Sequence, residues 1–303
     1  MDKQSTYHEI DLKELFSVLL DSKKLILFFI IISATASYFY ASSQVNLFKS
    51  SALLEVVNNS QSNTRSGLSS YASLVGVNIT SSETNKPALV LATVKSKDFF
   101  KNLINNEEIY IGLTAAKSFD KNKGLIYDKS IFNQEEMLWL KNKKPSFLKA
   151  FQKYKNSLTV NIDNKTGFMN VTVEHISPIF AKKLIDSIVL EVNRQFKEKN
   201  FQESSNAIDY LEQKLQTTLV LETRNSINQL ISSNLEKLML ADINKDYMLR
   251  YIENAYVPEN KSRPNKPLIS ILGTIIGFFF SIIFVLIRHY SYRNTTFHNE
   301  VIS

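Results

Sequence analysis

The chain has 303 residues, a formal net charge of +7 and no cysteine. The missing thiols exclude disulfide frameworks, thiol nucleophiles and Cys-based zinc or iron–sulfur sites. The charge reads as spread along the chain among interleaved acids, not as a clustered Lys/Arg footprint, so no nucleic-acid partner is expected.

In the N-terminal segment 1–24, Ile10, Leu12, Leu15, Phe16, Leu19 and Leu20 recur at helical spacing, with Asp11 and Glu14 at the start. Two readings stay open for it: an amphipathic helix on the inner membrane surface, or the first turns of the span that follows. No charged residue lies between Lys24 and Lys49, and 25–44 has the length and character of a transmembrane helix. Ala34-Thr35-Ala36 offers a small-x-small cleavage pattern. The preceding Asp2, Glu9, Asp11, Glu14 and Asp21 are nevertheless unlike the basic leader of a signal peptide, so the span is expected to be retained.

Residues 48–57 read as a strand. The Ser/Asn/Thr-rich stretch 58–82, with Gly67 and Gly76, reads as a long loop carrying one short element at 71–75. A helix is expected over 87–105, with Pro87 in its first turn and Leu89, Leu91, Val94, Phe99, Leu103 and Ile104 on its apolar face. The stretch 121–144 looks charged and irregular apart from 137–140. Alternation in 158–162 and 168–173 about Asp163-Asn164-Lys165-Thr166-Gly167 predicts a β-hairpin.

Ser177 and Pro178 announce a helix start. Ile179, Ala181, Leu184, Ile185, Ile188, Val189 and Val192 form its apolar face, which weakens near Asn200. Ile208, Leu211, Leu215 and Leu219 then resume the spacing, a polar break is expected at 222–226, and Ile227, Ile231, Leu235 and Leu238 follow. Continuous helix over 203–240 would be about 55 Å long, more than a compact domain needs. The arm of about 177–240 is therefore expected to project and to pack through Ile208, Leu211, Leu215 and Leu219 against other copies of the chain. Residues 247–257 alternate as a last strand.

Pro258, Pro264 and Pro267 make 257–267 a stiff extended connector. The second span, 267–287, carries Gly273 and Gly277 as a G-x-x-x-G that lets helix backbones approach. Two spans put both termini on one side. The large segment 45–266 is expected outside, and the tail 288–303 inside with the N-terminus.

No G-x-x-x-x-G-K-[ST], G-x-G-x-x-G or G-x-S-x-G pattern occurs. His175 is the one histidine between the spans, and a lone histidine at a strand end reads as structural. Glu191, Glu198, Glu203, Asp209, Glu212 and Glu222 read as a solvated helix face. No catalytic role, cofactor or metal is expected.

The ordered series resembles the chain-length determinant (Wzz) family of bacterial polysaccharide co-polymerases. Its parts are Glu9-Ile10-Asp11-Leu12 before the first span, the Gly67-Leu68-Ser69 to Gly76 loop, and the hairpin running into Ser177-Pro178 with Ala181. Tyr210-Leu211-Glu212 and the late Pro258, Pro264, Pro267, Gly273 and Gly277 complete it. The resemblance implies an α+β membrane protein: two transmembrane helices flanking a periplasmic α/β base domain with a long protruding helical arm. It implies a ring-forming homo-oligomer of the bacterial inner membrane. The implied role is non-catalytic control of O-antigen or related glycan length beside an integral-membrane polymerase, with lipid-linked glycan as a further partner. An export component for capsule or exopolysaccharide is the alternative within the same architecture. One departure is that Lys266 precedes the third proline and Leu268 follows it. The stretch 111–144 carries no part of the resemblance.

Overall fold

The computed structural model describes residues 12–57 and 86–300. The expected 58–82 loop with its 71–75 element, and Ile10 and Asp11 of the N-terminal pattern, lie outside them. Two units are distinct, one made of the chain ends up to Asn46 and from Ser262, the other of Leu47–Lys261.

In the first unit, helix α1 (Leu12–Asp21) is separated from α2 (Lys23–Ser43) at Ser22, whose φ of −90° and ψ of 12° leave helical geometry. The pattern at 12–20 is thus a helix of its own. α2 and residues Lys266–His289 are long and apolar enough to cross a membrane, with mean hydropathies of 1.9 and 2.6. The latter begin the 35-residue helix Lys266–Glu300.

The second unit is mixed α/β. Strand β1 (Leu47–Val56) alternates so that Ser50, Ala52, Leu54 and Val56 are buried. After it come helices α3 (Lys86–Val94), α4 (Lys97–Leu103) and α5 (Glu107–Ala115). The single helix expected over 87–105 is two. Ser96 ends the first run and caps the second, its Oγ accepting from Phe99 N at 3.1 Å, with Asp98 in the first turn.

The stretch expected to be irregular forms two antiparallel ribbons, β2 (Ala116–Asp120) with β3 (Gly124–Tyr127) and β4 (Phe132–Asn133) with β5 (Leu138–Trp139). Short side-chain caps make their turns. Asp120 Oδ1 accepts from the backbone of Asn122 and Lys123, and Asn133 Oδ1 from that of Glu135. Helix α6 (Phe147–Ser157) follows, capped by Ser146.

The hairpin β6 (Leu158–Ile162) and β7 (Met169–His175) falls where alternation puts it, closed by Gly167 at φ +73°. β1 pairs antiparallel with β7 on one side and with β8 (Leu249–Glu253) on the other, giving the order β6-β7-β1-β8. Helix α7 (Pro178–Thr217) starts on Ser177, whose Oγ accepts from Phe180 N at 3.2 Å. Its first half packs Ala181, Leu184, Ile185, Ile188 and Val192 into one core with Ala52, Leu54, Val171 and Val173.

The apolar face of α7 does thin near Asn200, with residues 197–203 partly or fully exposed, but the helix runs on unbroken, and the Asn200 amide donates to Tyr247 Oη at 2.8 Å. α7 runs for 40 residues, about 60 Å, and the chain then turns back as α8 (Leu221–Ile243). The break lies at 218–220, not at the polar 222–226. Thr217 and Thr218 bend their hydroxyls back onto Lys214 O, and Thr218 and Val220 are extended. Arg224, inside the first turn of α8, donates to Leu215 O at 3.0 Å and Thr218 O at 3.1 Å. It satisfies carbonyls that end α7. Strand β9 (Lys261–Arg263) and helix α9 (Lys266–Glu300) complete the chain.

Candidate functional site: the seam between the apolar helices and the arm

Residues spaced by four make one face on each apolar helix. On α2 these are Phe29, Ser33, Ser37 and Ala41; on α9 they are Gly273, Gly277, Ser281 and Val285. The two faces meet antiparallel. A Cβ built on Gly273 would lie 2.3 Å from Ser37 Cβ, and one on Gly277 would lie 2.4 Å from Ser33 Cβ. No side chain larger than hydrogen fits at either position without the helices separating. Ser33 Oγ donates to Gly273 O at 2.6 Å, so the close approach also makes an interhelical hydrogen bond. Farther along, the rings of Phe29 and Phe284 lie 5.1 Å apart, and Ser281 is fully buried with its Oγ on Phe278 O at 2.7 Å.

The opposite faces are apolar and open. Leu27, Phe28, Ile31 and Phe39 of α2, and Ile276, Phe279, Phe280 and Ile283 of α9, are all at least half exposed. The sequence singles out the two glycines but not their partners. The signal was there, since Ser33 and Ser37 form a small-x-x-x-small pair of the same spacing.

The prolines before the second apolar helix differ in setting. Pro258 is buried, Pro264 follows a cis peptide from Arg263 and is half-buried, and Pro267 is exposed in the first turn of α9. The four arm positions also differ. Ile208 is buried, Leu211 and Leu215 are half-buried, and Leu219 at the tip is 96 % exposed. Within one chain, α8 folds back along α7, and Ile227 of α8 is buried like Ile208.

Two polar constellations escape the sequence reading. Asn193, buried in α7, donates to Leu249 O at 2.9 Å and accepts from Met248 N at 2.8 Å and Leu249 N at 2.7 Å, fastening β8 to the helix. An asparagine between Val192 and the apolar Phe196 was its only sign. Glu191, expected on a solvated helix face, is instead buried and takes both Nε and Nη2 of Arg194, whose Nη1 reaches Glu198; these bonds raise the guanidinium pKa still further.

His175 is buried between two fixed partners. Its Nε2 lies 3.1 Å from Gly112 O and so donates, while Nδ1 accepts from Ser177 N at 3.1 Å. Burial pushes its pKa down to about 4, against the hydrogen bond to Gly112 O, and the bond from Ser177 N can be accepted only by an unprotonated Nδ1, so the ring is neutral and structural. Among the described residues no group of three or more His, Cys, Asp or Glu is placed to hold a metal.

Geometry defines the class as an α/β unit with a helical hairpin, held in sequence between two apolar helices that pack on each other through glycine and serine. Residues 8–107 match the model of the chain length determinant protein family (Wzz), and residues 215–290 match the G-rich domain on putative tyrosine kinase (GNVR). The chain therefore matches the chain length determinant family over its N-terminal part, as the sequence resemblance implied, and a G-rich domain that the resemblance did not name over a later part, which includes Pro258, Pro264, Pro267, Gly273 and Gly277. Among solved structures it is similar to a full-length bacterial polysaccharide co-polymerase at 14 % identity, covering 94 % of this chain and 99 % of that one, with a TM-score of 0.42. A fragment of WzzB, the polysaccharide co-polymerase from Salmonella Typhimurium, aligns at 12 % identity over 72 % of this chain and 99 % of its own, with a TM-score of 0.29. No curated protein matches the chain significantly.

Proposed function

We propose that this chain sets the length of a surface polysaccharide, O-antigen or a related lipid-linked glycan, without chemistry of its own. The observation that carries the reading is the chain length determinant match over 8–107. In this reading segments 25–44 and 267–287 span the bacterial inner membrane, 45–266 is periplasmic, and 1–24 and 288–303 are cytoplasmic. Copies assemble as a ring beside the integral-membrane polymerase. The hairpin of α7 and α8 supplies a long surface for that assembly, with Leu219 at its tip free to meet another copy. The ring acts by geometry: it repeats one surface around the polymerase and biases how long a growing chain stays engaged.

Gel profiling of surface glycan from a deletion strain and its complement tests this. The expected result is loss of a modal length in the deletion with polymer still present, restored by the complement. The match to a G-rich domain on putative tyrosine kinase favours a second reading, a part of an export machine for capsule or exopolysaccharide. Loss of all surface polymer in the deletion would support that one and overturn the first.

A further inference from the structure

Counted by segment, the net charge is not evenly spread, contrary to the reading from whole-chain composition. Residues 116–157 hold ten lysines, no arginine and four carboxylates, a balance of +6 out of the +7 of the whole chain. This stretch comprises both small ribbons and α6, and neither family match reaches it.

The same stretch exposes aliphatic side chains. Met137, Leu138, Leu140 and Leu148 are 51, 60, 40 and 62 % exposed. Alternation in β5 sends Trp139 inward, its ring 5.7 Å from Tyr110 and 5.1 Å from Phe132, and leaves Leu138 and Leu140 outside. Exposed Lys141, Lys143 and Lys144 follow directly, and exposed Lys149 adjoins Leu148. Glu135 and Glu136, at the ribbon turn, are the nearby counter-charges in sequence.

Chain continuity tells which end of the sheet this surface adjoins. Phe48, at the start of β1, comes five residues after Ser43 in sequence, so the chain enters the α/β unit at this end of the sheet. Its ring lies 6.1 Å from Phe119 of β2. Ser50 Oγ donates to Tyr256 O at 2.6 Å, so the stretch that follows β8 leaves the α/β unit at the same end of the sheet where β1 begins. The ring of Tyr127, at the end of β3, packs at 5.4 Å on Phe132 of β4, joining the two ribbons.

We propose that the 116–149 lobe is a foot on the membrane surface: Met137, Leu138 and Leu140 enter the headgroup region, and the lysines around them pair with phosphates of anionic phospholipid. The occupant is the bilayer that holds the chain's own helices. Aliphatic contact combined with several lysines is what holds a peripheral surface on anionic lipid, each lysine shifting the equilibrium by about fivefold. The foot rests on α2 and α9 lying in a bilayer, and is independent of whether the protein controls glycan length.

The cysteine-free chain allows single labels without removing native thiols. Full-length Leu138→Cys carries an environment-sensitive fluorophore in nanodiscs, with Phe279→Cys as the span control and the exposed arm position Asn206→Cys as the solvent control. Quenching by lipids brominated near the headgroup is compared between phosphatidylcholine alone and phosphatidylcholine with roughly 30 % phosphatidylglycerol. The expected result is strong quenching at Leu138 in the anionic discs, none at Asn206, and loss of the Leu138 signal in K141Q/K143Q/K144Q. Quenching at Leu138 no greater than at Asn206, with Phe279 quenched, overturns the foot alone. If Phe279 is unquenched as well, the membrane reading beneath it fails too. Shielding of Leu138 from soluble iodide without bromolipid quenching would mean that a protein surface or glycan covers it, and equal quenching in both lipids or in the triple variant would remove the anionic partner; each overturns the proposal.

Discussion

Ser33 and Gly273 meet across the two apolar helices with a 2.6 Å bond from the serine hydroxyl to the glycine carbonyl, possible only because neither glycine of the G-x-x-x-G has a side chain. Lipid gives no hydrophobic drive for such helices to associate, so close backbone packing must supply it. Gly273→Leu with Gly277→Leu is expected to separate the pair, change the size of the assembly in detergent and alter the glycan length distribution. Ser33→Ala, which removes one hydrogen bond worth about 0.6 kcal/mol, should act in the same direction but weakly. Unchanged assembly and unchanged glycan lengths in the double leucine variant would show that the seam is only an anchor.

Asn193 answers three backbone groups of Met248 and Leu249, where β8 begins, from within α7. Asn193→Ala leaves those groups buried without partners, at a cost of about 3 kcal/mol. Thermal unfolding of the full-length protein in detergent should show a clear fall in Tm. A change within error would mean that water replaces the amide and that β8 is held by its pairing with β1 alone.

Legibility tracked the range of the interactions involved. Alternation placed β6 and β7, and Ser177-Pro178 placed the start of α7, because each signal lies within a few residues of what it determines. The apolar helices were equally plain, since their length alone carries the message. The break between α7 and α8 was misplaced because polarity at 222–226 is an exposed helix face, whereas the turn depends on Thr217, Thr218 and Val220 together with Arg224 reaching back to Leu215 O. The ribbons at 116–139 were invisible because their strands are two to five residues long and are held by an aromatic cluster of Tyr110, Tyr127, Phe132 and Trp139. Of the seam, the glycines were legible and the serines were not, since which small residue meets which is decided between segments some 240 positions apart.

Gly112 sits where α5 meets the start of α7, and a Cβ there would fall 2.0 Å from Cε2 of Phe180. Gly112→Ala is therefore expected to destabilise the α/β unit by about 1–3 kcal/mol through overpacking. Phe180→Leu alone should cost stability by loss of volume, yet combined with Gly112→Ala it should recover part of the loss. Denaturation of the two single variants and the double tests this. Strict additivity would mean that the ring simply rotates away and that the contact is not a constraint.

His175 ties α5, β7 and the cap of α7 into one pH-sensitive joint, because it bonds Gly112 O and Ser177 N only as the neutral ring. Desolvation is the main cause of its low pKa of about 4, with Lys153 adding a smaller repulsion. In the unfolded chain the ring titrates near 6.5. Its contribution is therefore fully present above that pH, is lost as pH falls from about 6.5 toward 4, and amounts to roughly 3 kcal/mol at most. The exposed Asp120, Asp128 and Asp163, held low by backbone hydrogen bonds, add a loss at more acid pH, so the histidine must be isolated by difference. Unfolding midpoints across pH 4–7 for the parent and for His175→Gln, whose amide can still donate to Gly112 O, should differ in slope between pH 6.5 and 4, with the variant flatter. Parallel curves would show that the ring carries its proton without breaking the joint.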